Sequence, residues 1–399
     1  MAPQWCSHSI PFINIHSPVC SLSLTSGANM DPDTRRKFQS ITQQQWGQLG
    51  YLDQDEATPT RGTIIDNSLP IFDQRTSWTL PAGMTDDQFQ QFSNTLSPVF
   101  QLATKIAMSP ASLEYFYYIL YSARGELVEL SSHHDSSTKR FAKTYSIGPE
   151  ETARRVGAAL ERLASSLKWA FTNPETWPME GSKAVTVWDT QNLSRPTMIM
   201  EDATCRGTPS RIHLSTTFLT TLESLHSQAG DNRNQILNVQ FQMAKTILHE
   251  LTHALDYAIN NNAFTMATML KNGHTVQTIP STLKIEAREP YFEGEGIAEL
   301  GCSWENYVFG GYVDWKFGET NTPSFVREWP SFLSEYEFTR GAPDSSPVRR
   351  QWVVPMTWLR RLHRQEFWDA VDPGDVRALH IPKSAYQELL NPNGGTTSS

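Results

Sequence analysis

The sequence predicts a mainly helical α+β chain, with a small mixed sheet in front of one long helix and a helical C-terminal subdomain behind it. The long helix is expected over Asn234–Ile259, which contains no Gly or Pro and is rich in strong helix formers. The sheet is expected because short β-rich runs separated by turn formers come before that helix. The predicted parts are a weakly structured extension (1–60), a helical N-terminal subdomain (61–175), the sheet with the long helix (176–262), the helical C-terminal subdomain (263–390) and a flexible tail (391–399).

Residues typical of helix N-termini predict several other helices. Thr85-Asp-Asp-Gln88 is a capping box that opens a helix toward Met108, and Ser109-Pro110 begins another with proline in its first turn. The remaining predicted helices are Pro149–Phe171, Thr216–Gln228 and Pro355–Ala370, and the predicted strands are Lys183–Asp189, Thr197–Met200 and Arg211–Leu214.

Composition and charge narrow the classes of function. A net charge of −9 and a pI near 5.7 argue against a nucleic-acid partner, which needs a concentrated basic face. No run of 18 apolar residues is present, so no membrane span is expected. The four cysteines form no C-x-x-C pair, and residues 1–30 make a poor secretory signal, so a cytoplasmic location is expected, with Met30 as a possible alternative start. The oligomeric state stays open.

The segment His249-Glu250-Leu251-Thr252-His253 carries the chemistry. Residues four apart lie on one face of a helix, so His249 and His253 can offer their imidazoles to a single zinc ion. Zinc with three protein ligands keeps an open position and lowers the pKa of a bound water to about 7. Glu250 would then serve as the general base that takes the proton of that water.

The third ligand must come from elsewhere. A metzincin needs Gly and His at the positions that hold Asp256 and Ile259, so that class is excluded. Downstream, Glu295-Gly-Ile-Ala298 opens a second helical stretch that runs on through Glu299 to Tyr307. Here the chain resembles the gluzincin branch of the zincin metallopeptidases, whose third ligand is a Glu in an N-E-G-apolar-A pattern.

The resemblance implies a zincin-like fold, a single zinc ion and peptide-bond hydrolysis. It assigns the third ligand to Glu295 and a hydrogen bond to a ligand histidine to Glu299. The sequence departs from the pattern in having Gly294 before the glutamate and a long gap of 41 residues after His253. Glu289 and Glu293 therefore remain rival ligands.

Position along the chain suggests roles for several further residues. Tyr307, Tyr312 and His363 are candidate donors to the oxyanion of the reaction, as are Arg360 and Arg361, and Asp256 is expected to brace the long helix or a ligand histidine. Zincins bind extended substrate along an edge strand, and Arg211–Leu214 is the candidate for that edge. The sequence thus predicts a zinc metallopeptidase that acts on a peptide or protein. The alternatives are a catalytically inactive zincin-like binding module and an accidental motif in a helical protein.

Overall fold

The structure is a computed structural model, and it describes part of the chain. The described residues are 49–50, 69–73, 77–79, 85–122, 124–129, 137–141, 147–176, 178, 182–193, 197–200, 206–228, 232–290, 299–314, 323–327, 350–383 and 388–390. The predicted tail, 391–399, and most of the predicted extension, 1–60, lie outside these residues. Within the predicted extension, Leu49 is buried and its carbonyl accepts a hydrogen bond from the Met356 N–H.

Helices dominate the described residues. They are α1 (Pro70–Asp73), α2 (Asp86–Ala107), α3 (Pro110–Tyr121), α4 (Pro149–Leu163), α5 (Thr216–Ser227), α6 (Arg233–Ile259), α7 (Asn261–Lys271), α8 (Ser281–Glu286), α9 (Leu300–Phe309), α10 (Met356–Leu362) and α11 (Gln365–Asp369). The strands are β1 (Trp78–Thr79), β2 (Arg124–Glu129), β3 (Ser137–Phe141), β4 (Leu167–Thr172), β5 (Ala184–Trp188), β6 (Ser210–Ser215), β7 (Tyr312–Asp314), β8 (Phe325–Arg327), β9 (Arg350–Val353) and β10 (Glu388–Leu390). The predicted mainly helical α+β class is confirmed.

Helix α6 is the central element of the fold. It is buried along nearly its whole length and on all its faces, as expected for a helix enclosed by other elements. It contacts helices α2, α3, α5, α9 and α10 and the strands β5 and β6. Its surroundings form one apolar cluster that runs from Ile71 to Ile381 and includes the fully buried Trp169, Phe241 and Trp304. The long helix predicted from the sequence is therefore present, and it is buried rather than amphipathic.

A four-stranded mixed sheet packs against α6. Its strand order is β1-β4-β6-β5, with β4 parallel to β1 and β6, and β5 antiparallel to β6. Side chains alternate between the two faces of a strand, so the buried Ile212 and Leu214 of β6 point toward the core while Arg211 and His213 point away from it. By the register of the two strands, Thr186 and Trp188 of β5 share the core-facing side.

The predicted edge strand is in the wrong place. Residues Arg211–Leu214 do form a strand, but β6 is hydrogen-bonded on both sides, so it has no free edge. In the part of the sheet that the structure describes, the edge beside α6 is β5 instead. The predicted strand Thr197–Met200 makes only an isolated bridge between Thr197 and Gly207. The backbone beside that bridge bonds to the end of α6, since Thr208 donates its N–H to the Tyr257 carbonyl at 2.8 Å.

Two predicted helices are shorter than expected. The helix from Pro149 ends at Leu163 because the hydroxyls of Ser165 and Ser166 bond to the last-turn carbonyls, and the residues after them form β4. Pro355–Ala370 is divided into α10 and α11 at His363, where the Trp368 indole donates to the Leu362 carbonyl. The other predicted helices match α2, α3 and α5 within about two residues.

The sequence did not predict the second sheet. Strands β10-β9-β8-β7 form an antiparallel sheet within the predicted helical C-terminal subdomain, and β2 and β3 form a separate antiparallel pair. Helices α7 and α8 lie in the connection after the long helix, where no element was predicted. Among the described residues, no helix is both long and apolar enough to cross a membrane.

Candidate metal centre

Two imidazoles on α6 converge on one carboxylate. The Nε2 atom of His249 lies 3.2 Å from Oε1 of Glu299, and the Nε2 atom of His253 lies 2.9 Å from the same oxygen. The two rings are one helical turn apart, with centroids 5.3 Å from each other. One ligand atom from each of these three residues lies within 4.8 Å of the other two. Two nitrogens and one oxygen thus face a common point.

The spacing of these atoms fits one small metal ion. Ligands about 2.0–2.1 Å from a tetrahedral zinc ion lie roughly 3.3 Å from each other. The two nitrogen–oxygen separations are slightly shorter than that value. Imidazole nitrogen and carboxylate oxygen are both common zinc donors, and three protein ligands leave a fourth position open. The three residues could therefore hold a metal ion.

Glu299 is held in place by the helix that it precedes. It is the N-cap residue of α9, and its Oε2 accepts a hydrogen bond from the Cys302 N–H. Because Oε2 faces the helix, Oε1 is left to face the two histidines. Burial by itself would raise the pKa of Glu299, but the charges and hydrogen bonds of His249 and His253 hold it well below its ordinary value. The carboxylate is thus ionised and positioned as a single-oxygen donor.

Two other buried carboxylates hold the far sides of the rings. Oε1 of Glu305 lies 2.9 Å from Nδ1 of His249, and Oε1 of Glu289 contacts Nδ1 of His253. Glu289 is fixed further because its Oε2 accepts from the Leu300 N–H at 3.3 Å. Carboxylates in this position fix the tautomer of a ligand histidine and keep Nε2 free for the metal. Glu289, a rival ligand in the sequence analysis, contacts Nδ1 of His253, whereas Glu299 contacts Nε2 of the same ring.

Gly301 lets α9 approach His249 closely. A Cβ atom at this position would lie 2.3 to 2.5 Å from three atoms of the His249 ring. No side chain fits there without moving the imidazole, since real Cβ atoms do not approach other atoms so closely. Glycine at 301 is therefore part of the site, because it seats the ring between Glu299 and Glu305.

Glu250 lies beside the edge strand. Its carboxylate is buried, and Oε2 accepts a hydrogen bond of 2.7 Å from the hydroxyl of Thr186 on β5. The same hydroxyl lies 3.0 Å from the Glu250 carbonyl. The edge strand and the predicted general base, which directly follows His249 on α6, are thus in direct contact.

The other predicted site residues divide into three groups. Glu293 and Glu295 lie outside the described residues. Asp256 is fully buried near the end of α6, where Asn260 Nδ2 lies 3.5 Å from its Oδ2, consistent with a bracing role. The third group consists of the candidate oxyanion donors.

The candidate oxyanion donors are spread over the fold. Burial and then Glu114 raise the pKa of Tyr307, which faces α3 with its ring 5.7 Å from that of Tyr115. Burial lowers the pKa of His363 to about 4, and His363 bonds to the backbone of Leu237, twelve residues and about 18 Å before His249 along α6. Tyr312 lies under the Lys245 ammonium, 5.6 Å from ring centroid to Nζ, and burial raises its pKa well above the ordinary value.

The two arginine candidates have partners at other places in the fold. Arg360 donates to the Asn234 side chain near the start of α6, and the Arg361 guanidinium lies over the Phe367 ring. Tyr312 contacts α6 close to His249, because its partner Lys245 lies one turn before that histidine.

Sequence reasoning missed Glu305, Thr186, Lys245 and Gly301. One signal was available for Glu305: it lies four residues after Gly301, on the same face of α9, so a helix that approaches His249 at Gly301 also brings Glu305 toward it. Thr186 had no such signal, because its contact with Glu250 depends on the position of β5 in the sheet.

No known protein family matches the chain, and neither the curated proteins nor the solved structures give a match.

Proposed function

We propose that this protein is a zinc-dependent peptidase with His249, His253 and Glu299 as its metal ligands. One observation carries the proposal: both histidines direct Nε2 at the same Glu299 oxygen, while Glu305 and Glu289 hold their Nδ1 atoms. Two buried histidines that were hydrogen-bonded separately would not need to share one acceptor atom, as these two share Oε1 of Glu299. Every ring nitrogen faces a carboxylate, and this supports the proposal because carboxylates that orient ligand histidines are expected around a metal centre.

In this proposal Glu250 is the general base. A bound zinc ion would supply Lewis acidity and lower the pKa of a coordinated water to about 7. Thr186 occupies Oε2 of Glu250, so we assign Oε1 to take the proton from the attacking water and to pass it to the leaving amine. Thr186 also fixes the orientation of the carboxylate, because its hydroxyl reaches both the side chain and the backbone of Glu250.

The edge strand supports a peptide as substrate. In the part of the sheet that the structure describes, β5 has an outer edge that could pair with an extended chain by strand addition, which gives affinity through main-chain hydrogen bonds. Because Thr186 belongs to β5 and contacts Glu250, a chain paired with this edge would run past the general base. This arrangement favours peptide bonds over small-molecule substrates.

Metal binding gives the first test. We expect about one zinc ion per chain by elemental analysis, and a large loss of zinc affinity in His249→Ala, His253→Ala and Glu299→Gln. Glu295→Gln is the matched control, because it removes the neighbouring acid that the gluzincin pattern assigns to the metal. If Glu295→Gln loses zinc and Glu299→Gln retains it, the ligand assignment is wrong. If purified protein binds no zinc in any form, the proposed function is wrong.

Turnover gives the second test. With a mixed peptide library as substrate, Glu250→Gln should lower the rate by about 10²- to 10⁴-fold while zinc stays bound. The alternative, a zinc-bearing binding module without catalysis, is favoured by Tyr307 and His363, which are directed at Glu114 and Leu237 rather than at the histidines. Equal and negligible hydrolysis by wild type and Glu250→Gln, both with zinc bound, would support that module.

A further inference from the structure

A buried lysine lies next to His249 on α6. Lys245 lies one turn before His249 on the same face of α6, and its side chain is only 4% exposed. Its Nζ lies 3.0 Å from Oε1 of Glu305 and 3.0 Å from the Val313 carbonyl, with the Tyr312 ring beside it. An ammonium group has three hydrogens to donate, and these three neighbours surround it.

Glu305 joins this lysine to the histidine. Oε1 of Glu305 contacts both the Lys245 ammonium and Nδ1 of His249. Oε2 of Glu305 accepts a hydrogen bond from the Val313 N–H at 2.8 Å. Val313 of β7 therefore bonds to both members of the ion pair, through its carbonyl to Lys245 and through its N–H to Glu305. The result is a closed ring of contacts that leaves Glu305 little freedom to turn.

We propose that Lys245 is a positioning residue of the metal centre, acting through Glu305 to hold the His249 imidazole toward the metal. The inference rests on the proposed zinc site and extends it to a residue that touches neither metal nor substrate. The ammonium fixes the rotation of the Glu305 carboxylate, and that carboxylate fixes the ring of His249.

A double-mutant cycle on zinc affinity tests the coupling. Glu305→Gln should weaken zinc binding by about 10- to 100-fold, the usual range for a residue that supports a ligand. Lys245→Met should weaken it in the same range while Glu305 is present. In the Lys245→Met/Glu305→Gln double variant, the lysine change should add little beyond Glu305→Gln alone, because its effect passes through Glu305. Additive losses would overturn the proposal.

Lys183→Met is the matched control. Lys183 is a second lysine of this region, but it pairs with Asp314 of β7 at 3.0 Å rather than with Glu305. Both lysine variants should lower the stability of the metal-free protein. Only Lys245→Met should lower zinc affinity and alter the visible absorption of the cobalt-substituted protein, which reports ligand geometry. A Lys245→Met protein that matches Lys183→Met in both zinc affinity and cobalt spectrum would overturn the proposal.

A further variant keeps the test decisive if Lys245→Met does not fold. Replacing a buried ion pair with apolar side chains is often tolerated, so Lys245→Met/Glu305→Met should fold. It should still bind zinc about 10- to 100-fold more weakly than wild type. Wild-type affinity in this variant would overturn the inference and leave the zinc site intact. Absence of zinc binding in wild type would instead overturn the proposed function and this inference together.

Discussion

Replacing Gly301 with alanine should damage the metal centre, although the same change stabilises most helices. An added Cβ would lie 2.3 Å from the His249 ring, and ordinary contact begins near 3.4 Å, so the ring must move by about 1 Å. Metal sites tolerate errors of about 0.2 Å in ligand distance. The ring cannot move by that amount and keep both Glu299 at Nε2 and Glu305 at Nδ1. We therefore expect zinc affinity to fall at least about 10- to 100-fold, the range seen when a ligand loses its support.

The effect on stability can be estimated in the same way. Alanine in place of glycine inside a helix gains about 0.5–1 kcal/mol, and overpacking a core costs about 1–3 kcal/mol. The metal-free Gly301→Ala protein should therefore be no more stable than wild type, with a loss of up to about 2.5 kcal/mol. Both quantities can be measured, the first by zinc titration against a competing chelator and the second by urea unfolding in the presence of a chelator.

Gly157→Ala is the control for this prediction. Gly157 lies inside α4, and a Cβ there would meet no atom within 4 Å. This variant should be stabilised by about 0.5–1 kcal/mol and should bind zinc as wild type does. If Gly301→Ala is stabilised as much as Gly157→Ala and binds zinc normally, then α9 does not pack against His249 as described, and the assignment of Glu299 and Glu305 falls with it.

Three further predictions address the remaining parts of the site and the sheet. Thr186→Val keeps the β-branched shape but leaves the buried Glu250 carboxylate short of a donor, so unfolding in urea should show a loss of about 1–3 kcal/mol, whereas unchanged stability would contradict the hydrogen bond. Burial, followed by the charge of Arg211, lowers the pKa of His213 to about 4. Between about pH 6.5 and pH 4 the unfolded chain therefore binds more protons than the folded protein, and the free energy of unfolding decreases as the pH falls. His213→Gln should accordingly lose less stability than wild type between about pH 7 and pH 4, by up to about 3 kcal/mol, and equal losses in the two proteins would show that His213 is not held neutral. Zinc at about 100 times its dissociation constant should stabilise wild type by about 2.7 kcal/mol in thermal unfolding, and a His253→Ala protein stabilised to the same extent would place the ion elsewhere.

The sequence predicted the elements whose signals are local. The long helix, the Ser109 cap and the two histidines one turn apart follow from residues close together in the chain, and the structure contains each of them. The segment from Leu167 to Thr172 shows the limit of this reasoning. Its apolar residues extend a helical pattern, but the helix ends before the strand at a turn in which Ser165 and Ser166 bond back to α4 through their N–H groups and hydroxyls.

The parts of the site that the sequence did not predict depend on distant contacts. The edge of the sheet depends on the pairing of β6 with both β4 and β5. The residues of Arg211–Leu214 do not by themselves indicate which strands they pair with. Motif analogy assigned the ligand role to Glu295 and a supporting role to Glu299. The structure shows Glu299 facing both Nε2 atoms because its backbone begins α9, and spacing along the chain could not show that cap.

The long connection between the histidines and the downstream acids is compatible with a compact site because its two ends are hydrogen-bonded to each other. Asn260 ends α6, and its Oδ1 accepts from the Ala263 N–H to begin α7. Its Nδ2 lies 3.3 Å from the Ala287 carbonyl, 27 residues further along the chain. The segment that contains α7 and α8 therefore begins and ends at the same place, beside Asn260. Glu289, two residues after Ala287, contacts His253. Because the cost of closing a loop grows only slowly with its length, extra residues here change little at the histidines as long as Asn260 holds the two ends together.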